Sequence, residues 1–146
     1  MKNINYTFVC IGTNKIIEDS FGPRVGNKLN KIFYSNPEIT VYGTMQNPIH
    51  LKNATHILQN IKKTGQIILI DSAIGKKEQI GKSYLNKGGV QIGKAFNQSI
   101  YFPADFNIKT VIGSKEYIPN YSINQIENLA EDVSKKITNI VFELLV

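Results

Sequence analysis

Continuous apolar runs alternate with helical-period stripes along the first half of the chain. Phe8-Val9-Cys10-Ile11 and Ile67-Ile68-Leu69-Ile70 contain no charged or amide position. Such runs mark strands buried on both faces, as in a parallel sheet covered by helices. Between them, Val25, Leu29, Ile32 and Phe33 recur at helical spacing behind Ser20, a candidate N-cap, with Pro23 close to the first turn. Asn36-Pro37 closes that helix, because a residue before proline avoids the helical region. Residues 39–42 read as a short β-branched strand ended by Gly43. Leu51, Ala54, Ile57, Leu58 and Ile61 then mark one face of a second helix. Lys62 and Lys63 suit its C-terminal dipole, and Gly65 stops it.

The pattern loosens over residues 72–106. Ile-Gly-Lys recurs at 74–76, 80–82 and 92–94, but unevenly, so the segment reads as turns and short strands, not as a repeat. Ser83-Tyr84-Leu85 is one such strand, Gly88-Gly89 a bend, and residues 108–112 a further strand. Ser122 and Gln125 have capping-box spacing. Behind them Ile123, Ile126, Leu129, Val133, Ile137, Ile140, Val141 and Leu144 form one apolar stripe, predicting a long final helix. Strand–helix–strand alternation demands parallel strands with right-handed crossovers. The expected fold is a three-layer α/β/α arrangement with a mostly parallel twisted sheet, in one domain over residues 1–146.

Composition narrows the function classes. The 146 residues are 42% hydrophobic and 19% charged, the balance of a chain able to bury its own core. No run approaches a membrane span, and Met1-Lys2-Asn3-Ile4-Asn5-Tyr6 is too polar for a signal peptide, so no membrane partner is expected. The net charge of +6 is spread over scattered lysines without zinc-finger spacing or interleaved aromatics, and nucleic-acid binding is not expected. The single cysteine, Cys10, lies inside an apolar run and reads as a small core residue, in keeping with a reducing cytoplasm.

Two aspartates carry the candidate chemistry. Asp19 follows the first predicted strand by a short loop, and Asp71 follows the third directly. Ligand sites of parallel sheets lie outside the carboxyl ends of the strands, where both acids would sit. Two carboxylates sharing a pocket cannot ionise together easily, which leaves one acid and one base, as an aspartic-type hydrolase needs. The same pair, with Glu18, His50 or His56, is also a set of cation ligands. Taken singly, Asp19 is an ordinary helix cap and Asp71 an ordinary strand-ending turn residue. His50, after Asn47-Pro48-Ile49, falls near the same edge; His56 lies within a helix. Gly12-Thr13-Asn14 lacks the further glycines of a dinucleotide fingerprint, and Gly75-Lys76-Lys77 lacks the upstream glycine of a P-loop, so no nucleotide cofactor is expected.

Four segments carry a family resemblance: Val9-Cys10-Ile11-Gly12-Thr13, Asp19-Ser20-Phe21-Gly22-Pro23-Arg24-Val25-Gly26, Val41-Tyr42-Gly43-Thr44-Met45-Gln46-Asn47-Pro48-Ile49-His50 and Ile68-Leu69-Ile70-Asp71-Ser72-Ala73-Ile74-Gly75. Together they cover roughly the first half of the chain and resemble the YyaC family of sporulation proteins. That family is similar to the germination protease of spore formers and, more remotely, to the hydrogenase maturation endopeptidases. The resemblance implies a phosphorylase/hydrolase-like α/β fold and a peptidase in the cytoplasm of a forespore or mother cell. Its substrate would be a protein or peptide. Catalytic roles then fall on Asp19 and Asp71, substrate contacts on His50 and the Gly88-Gly89 loop. The metal ion of the maturation enzymes is held by the matching acidic positions and a later histidine. This chain has no histidine beyond His56, so no metal cofactor is expected. Two departures stand out: Asn14 replaces an aspartate of the YyaC pattern, and the glycine-containing stretch at 86–94 lacks that family's proline.

Overall fold

The first strand is buried over its whole length, as an apolar run with helices above and below requires. The computed structural model describes residues 5–61, 65–93 and 99–145, with side chains up to Glu143. Met1 to Ile4, Lys62, Lys63, Lys94 and the side chain of Leu144, named above, lie outside the described residues. The strands are β1 (Tyr6–Cys10), β2 (Ile39–Tyr42), β3 (Gln66–Gly75), β4 (Ser83–Lys87), β5 (Val90–Ile92), β6 (Ile100–Phe102) and β7 (Phe106–Ser114). The helices are α1 (Phe21–Ile32), α2 (Ala54–Asn60) and α3 (Ile123–Leu145).

Five strands form the central sheet in the order β2-β1-β3-β7-β4. All neighbours run parallel except β4, which pairs antiparallel with β7. Alternate residues sort the core into two layers. Tyr6, Phe8, Cys10 and Ile70 face α1 and α3, meeting Phe21, Val25 and Leu29 from one helix and Ile126, Val133 and Ile137 from the other. Val9, Ile11 and Leu69 face α2 and the β5–β6 hairpin, meeting Ala54, Val90, Ile92 and Phe102. Each fully buried large side chain contributes about 1.5–3 kcal/mol. This is the three-layer, mostly parallel architecture read from the periodicity.

The long last helix is capped as its spacing predicts. The Ser122 N–H donates to Gln125 Oε1 at 2.8 Å and the Gln125 N–H donates to Ser122 Oγ at 3.1 Å. Ion pairs then clamp α3 to α1: Arg24 Nη1 to Glu127 at 2.7 Å, Lys28 Nζ to Glu127 at 2.8 Å and to Glu131 at 3.2 Å. Among the described residues no helix is long and apolar enough to cross a membrane.

Three local expectations are corrected. Asp71 does not end its strand in a turn: β3 continues through Ser72-Ala73-Ile74 to Gly75, paired with β7 alone. The helix expected from Leu51 begins only at Ala54, because residues 51–53 form turns with Asn53 bonded back to His50 and Pro48. Ser20 does not cap α1 with its side chain; its hydroxyl donates to the Ile17 carbonyl at 2.6 Å and accepts from Arg24 Nε at 2.8 Å.

Candidate active site

The carboxyl edge of the sheet is stepped. β1 ends at Cys10, opposite Ile70, and its last tie to β3 is the Ile11 N–H on the Ile70 carbonyl at 2.8 Å. β3 runs on past that point, so Asp71 is the first residue of β3 beyond the end of β1. In line with β1, the chain passes Gly12, loops out over residues 13–17 and returns in the 3-10 turn Glu18–Ser20. The Thr13 N–H donates to the Asp19 carbonyl at 2.9 Å, which closes the loop.

Two glycines let that turn settle onto the strand end. A Cβ on Gly12 would overlap the Asp19 carbonyl oxygen and the Pro23 ring, and one on Gly22 would overlap the Ile11 carbonyl. Only glycine permits so close a backbone approach. Arg24 braces the turn from behind, linking Ser20 to Glu127 of α3.

The electrostatics join the two acids. Burial pushes the half-buried Asp71 carboxyl up, the negative charge of Asp19 pushes it further, and it reaches about 7. The Ser72 N–H, 2.8 Å from Asp71 Oδ1, and the charge of Lys109 pull the other way. Asp19 is more exposed, but its carboxyl is also raised, first by desolvation and then by Glu18. The order of ionisation follows: Asp19 loses its proton first, and its charge then holds the proton on Asp71.

His50 stands at the same edge, one residue after Ile49, which bridges to Ile11. Its ring is engaged locally, with Nδ1 accepting the Lys52 N–H at 3.2 Å. Gly88 and Gly89 are not brought to the aspartates. β4 runs antiparallel, so its end at Lys87 lies level with Phe106 and Ile68, at the amino edge of the sheet. The Gly88 N–H bonds the Asp105 carbonyl and the Asp105 N–H bonds that of Ile67, four residues before Asp71. His56 lies within α2 and exposed.

A resident metal ion does not fit these residues. Among the described residues no group of three or more His, Cys, Asp or Glu is gathered closely enough to hold one. Cys10 is fully buried and desolvation pushes its thiol well above the ordinary range, as befits a packing residue.

Lys109 is the site residue that the sequence reading missed. It lies in register with Asp71 on β7. A lysine in the middle of Ile108-Lys109-Thr110-Val111-Ile112 was the available signal, since a buried strand seldom carries a charge without a partner.

The architecture is that of a three-layer α/β protein with a mostly parallel sheet. It is similar to the [NiFe] hydrogenase maturation protease HycI from Thermococcus kodakarensis, with a TM-score of 0.60 and 18% identity, covering 93% of this chain and 91% of that one. It is also similar to the hydrogenase maturating endopeptidase HybD from E. coli, with a TM-score of 0.55 and 11% identity over 96% and 93% of the two chains. At these identities the likeness is one of fold. The chain belongs to the family described as protein of unknown function (DUF1256), which matches residues 1–137. Within the curated proteins it is 28% identical over 130 residues to the uncharacterized protein YyaC of Bacillus subtilis. That match takes in 84% of this chain and 62% of the relative, so the chain spans less than two thirds of the relative's length.

Proposed function

We propose that this protein is a sporulation-associated peptidase that hydrolyses a peptide bond with Asp19 and Asp71. Ionised Asp19 takes a proton from water as the water oxygen bonds to the peptide carbonyl carbon. Protonated Asp71 delivers its proton to the amide nitrogen as the C–N bond breaks, leaving a carboxylic acid and an amine. Proton return between the two carboxyls restores the starting state. The observation that carries this reading is the state of Asp71, whose carboxyl is pushed up to about 7 by burial and by the charge of Asp19. The fold shared with proteins named as maturation proteases supports a protein substrate. The sequence resemblance to spore proteins supports the setting, in the forespore or mother cell.

The test is incubation of the purified protein with a random peptide library at pH 6, with new N-termini read by mass spectrometry. Cleavage by the native chain and none by Asp71→Asn is the expected result; equal cleavage by both, or by neither, overturns it. Scoring heat-resistant spores in a disruption strain tests the setting.

A second reading, peptide binding without cleavage, is favoured by Asn14. Its side-chain amide donates to the Met45 carbonyl at 2.9 Å, a structural tie where the resembled family has a carboxylate. Binding of the library without new termini would select this reading.

A further inference from the structure

We infer that the outer edge of β2 is the seat of the bound peptide, which adds to the sheet as an extended strand. The inference rests on the peptidase reading for the role of that peptide, and on three structural observations for its place.

The first is an open edge. Among the described residues β2 pairs with β1 on one side only. The Tyr6 N–H donates to the Glu38 carbonyl at 2.9 Å, with Tyr6 in register with Ile39. In a parallel ladder this phase turns the backbone groups of Glu38, Thr40 and Tyr42 toward β1, and those of Val41 outward. Among the described residues neither the N–H nor the carbonyl of Val41 makes another backbone hydrogen bond. A free strand edge of this kind is a template for a further strand.

The second is the space beside it. A cleft of about 570 Å³ is lined by Asn27 and Asn30 from α1, Val41 from β2 and Ile57 from α2. Helices from opposite faces of the sheet therefore wall it, and it straddles the edge where an added strand would lie. Gln46 and Asn47 also line it. Among the described residues that line it, none is charged. Amides without charge match the neutral donors and acceptors of a peptide main chain, whereas a phosphate or an acidic ligand would call for cations.

The third is continuity with the aspartates. Loop residue Met45 receives the Asn14 side-chain amide on its carbonyl at 2.9 Å, and its N–H donates to Asn27 Oδ1 at 3.0 Å. The cleft wall is thereby bonded to the loop that leads to Asp19. Ile49, also in the lining, carries the carbonyl that receives the Gly12 N–H at 2.9 Å. A chain laid along β2 leaves the cleft toward the end of β1, where the turn bearing Asp19 rests.

The experiment uses the Asp71→Asn protein, so that nothing is cut, and an equimolar pool of random-sequence decapeptides. The amide resonances of Val41, Gly43 and Thr44 should shift, and exchange of the Val41 N–H should slow by about tenfold, the worth of one net hydrogen bond. A pool N-methylated at alternate residues should do neither. Proline is tolerated on edge strands where the N–H faces outward, so Val41→Pro should fold and lose the shifts at Gly43 and Thr44. Asn30→Trp, on the exposed face of α1, fills the cleft without touching the ladder and should lose them too. An unresponsive edge, or undiminished binding by either folded variant, overturns the inference. Cleavage by the native protein with KM unchanged in Val41→Pro would overturn the seat and leave the peptidase standing. Resonance shifts without cleavage would keep the seat and remove the peptidase.

Discussion

Asp71 on β3 and Lys109 on β7 stand opposite each other in parallel register, so both side chains leave the same face of the sheet. The lysine draws the carboxyl down while burial and Asp19 push it up, and the outcome is about 7. The proton on Asp71 is therefore set by burial, by Asp19 in the 3-10 turn and by Lys109 on β7, not by Asp71 alone. Substitutions at any of these positions should be read through that proton.

The pH profile of cleavage should follow Asp71. Acting as the acid, it must be protonated, so kcat/KM should fall as pH rises through about 7. Lys109→Met removes a charge that favours ionisation, and the alkaline limb should then move to higher pH. A limb that stays in place or moves toward acid would contradict this arrangement.

Asp71→Asn should lose activity and gain stability above neutral pH. The unfolded carboxyl releases its proton near the ordinary 3.8, whereas the folded one keeps it until about 7. The stability that goes with the protonated form is full below the unfolded value and lost as pH rises through the folded one. At pH 8 the native state holds a buried anion, and Asp71→Asn should be more stable than the parent by on the order of 3 kcal/mol. Below pH 4 the gap should close. Urea unfolding at the two pH values measures it.

Gly12→Ala places a methyl group against the Asp19 carbonyl and the Pro23 ring. Overpacking of this kind costs roughly 1–3 kcal/mol. Because the overlap is relieved by lifting the turn, cleavage should fall further than stability explains. Comparing kcat/KM at a temperature where the variant is fully folded separates the two effects.

Arg24→Met cuts the link from Ser20 to α3. Glu127 keeps Lys28 as a partner, so the loss should be about 1–2 kcal/mol, between an exposed and a buried pair. Burial alone would raise the Glu127 carboxyl, yet Lys28 and Arg24 hold it below the ordinary range. The contribution should therefore fade as pH falls through that lowered value. A double-mutant cycle with Glu127→Gln reads the coupling directly.

Most of the framework is legible in the chain. The apolar run Phe8-Val9-Cys10 of β1 and the capping box of α3 act locally, and each appears where its pattern predicts, whereas α1 already ends at Ile32, ahead of Asn36-Pro37. The run of β3 past Asp71 was hidden because Ser72, Ala73 and Gly75 are small residues that suit turns equally well; the strand persists because β7 is there to pair with it. The location of Gly88 and Gly89 was hidden for a related reason. Residues 83–85 read as a strand, but its direction is set by its partner, and antiparallel pairing with β7 carries the glycines to the far edge. Lys109 was legible as an oddity only, its meaning supplied by a register that joins residues 38 positions apart.

The overhang of residues 13–17 has a consequence for how this architecture tolerates change. Gly12 and Gly22 fasten its two feet to the strand end, while its crest, Asn14 to Ile17, stands in solvent. The crest is also tied inward, by the Asn14 amide on the Met45 carbonyl and by the Ile16 and Ile17 carbonyls that receive the Asp19 and Ser20 N–H groups, so a change of length there reaches the turn that carries Asp19.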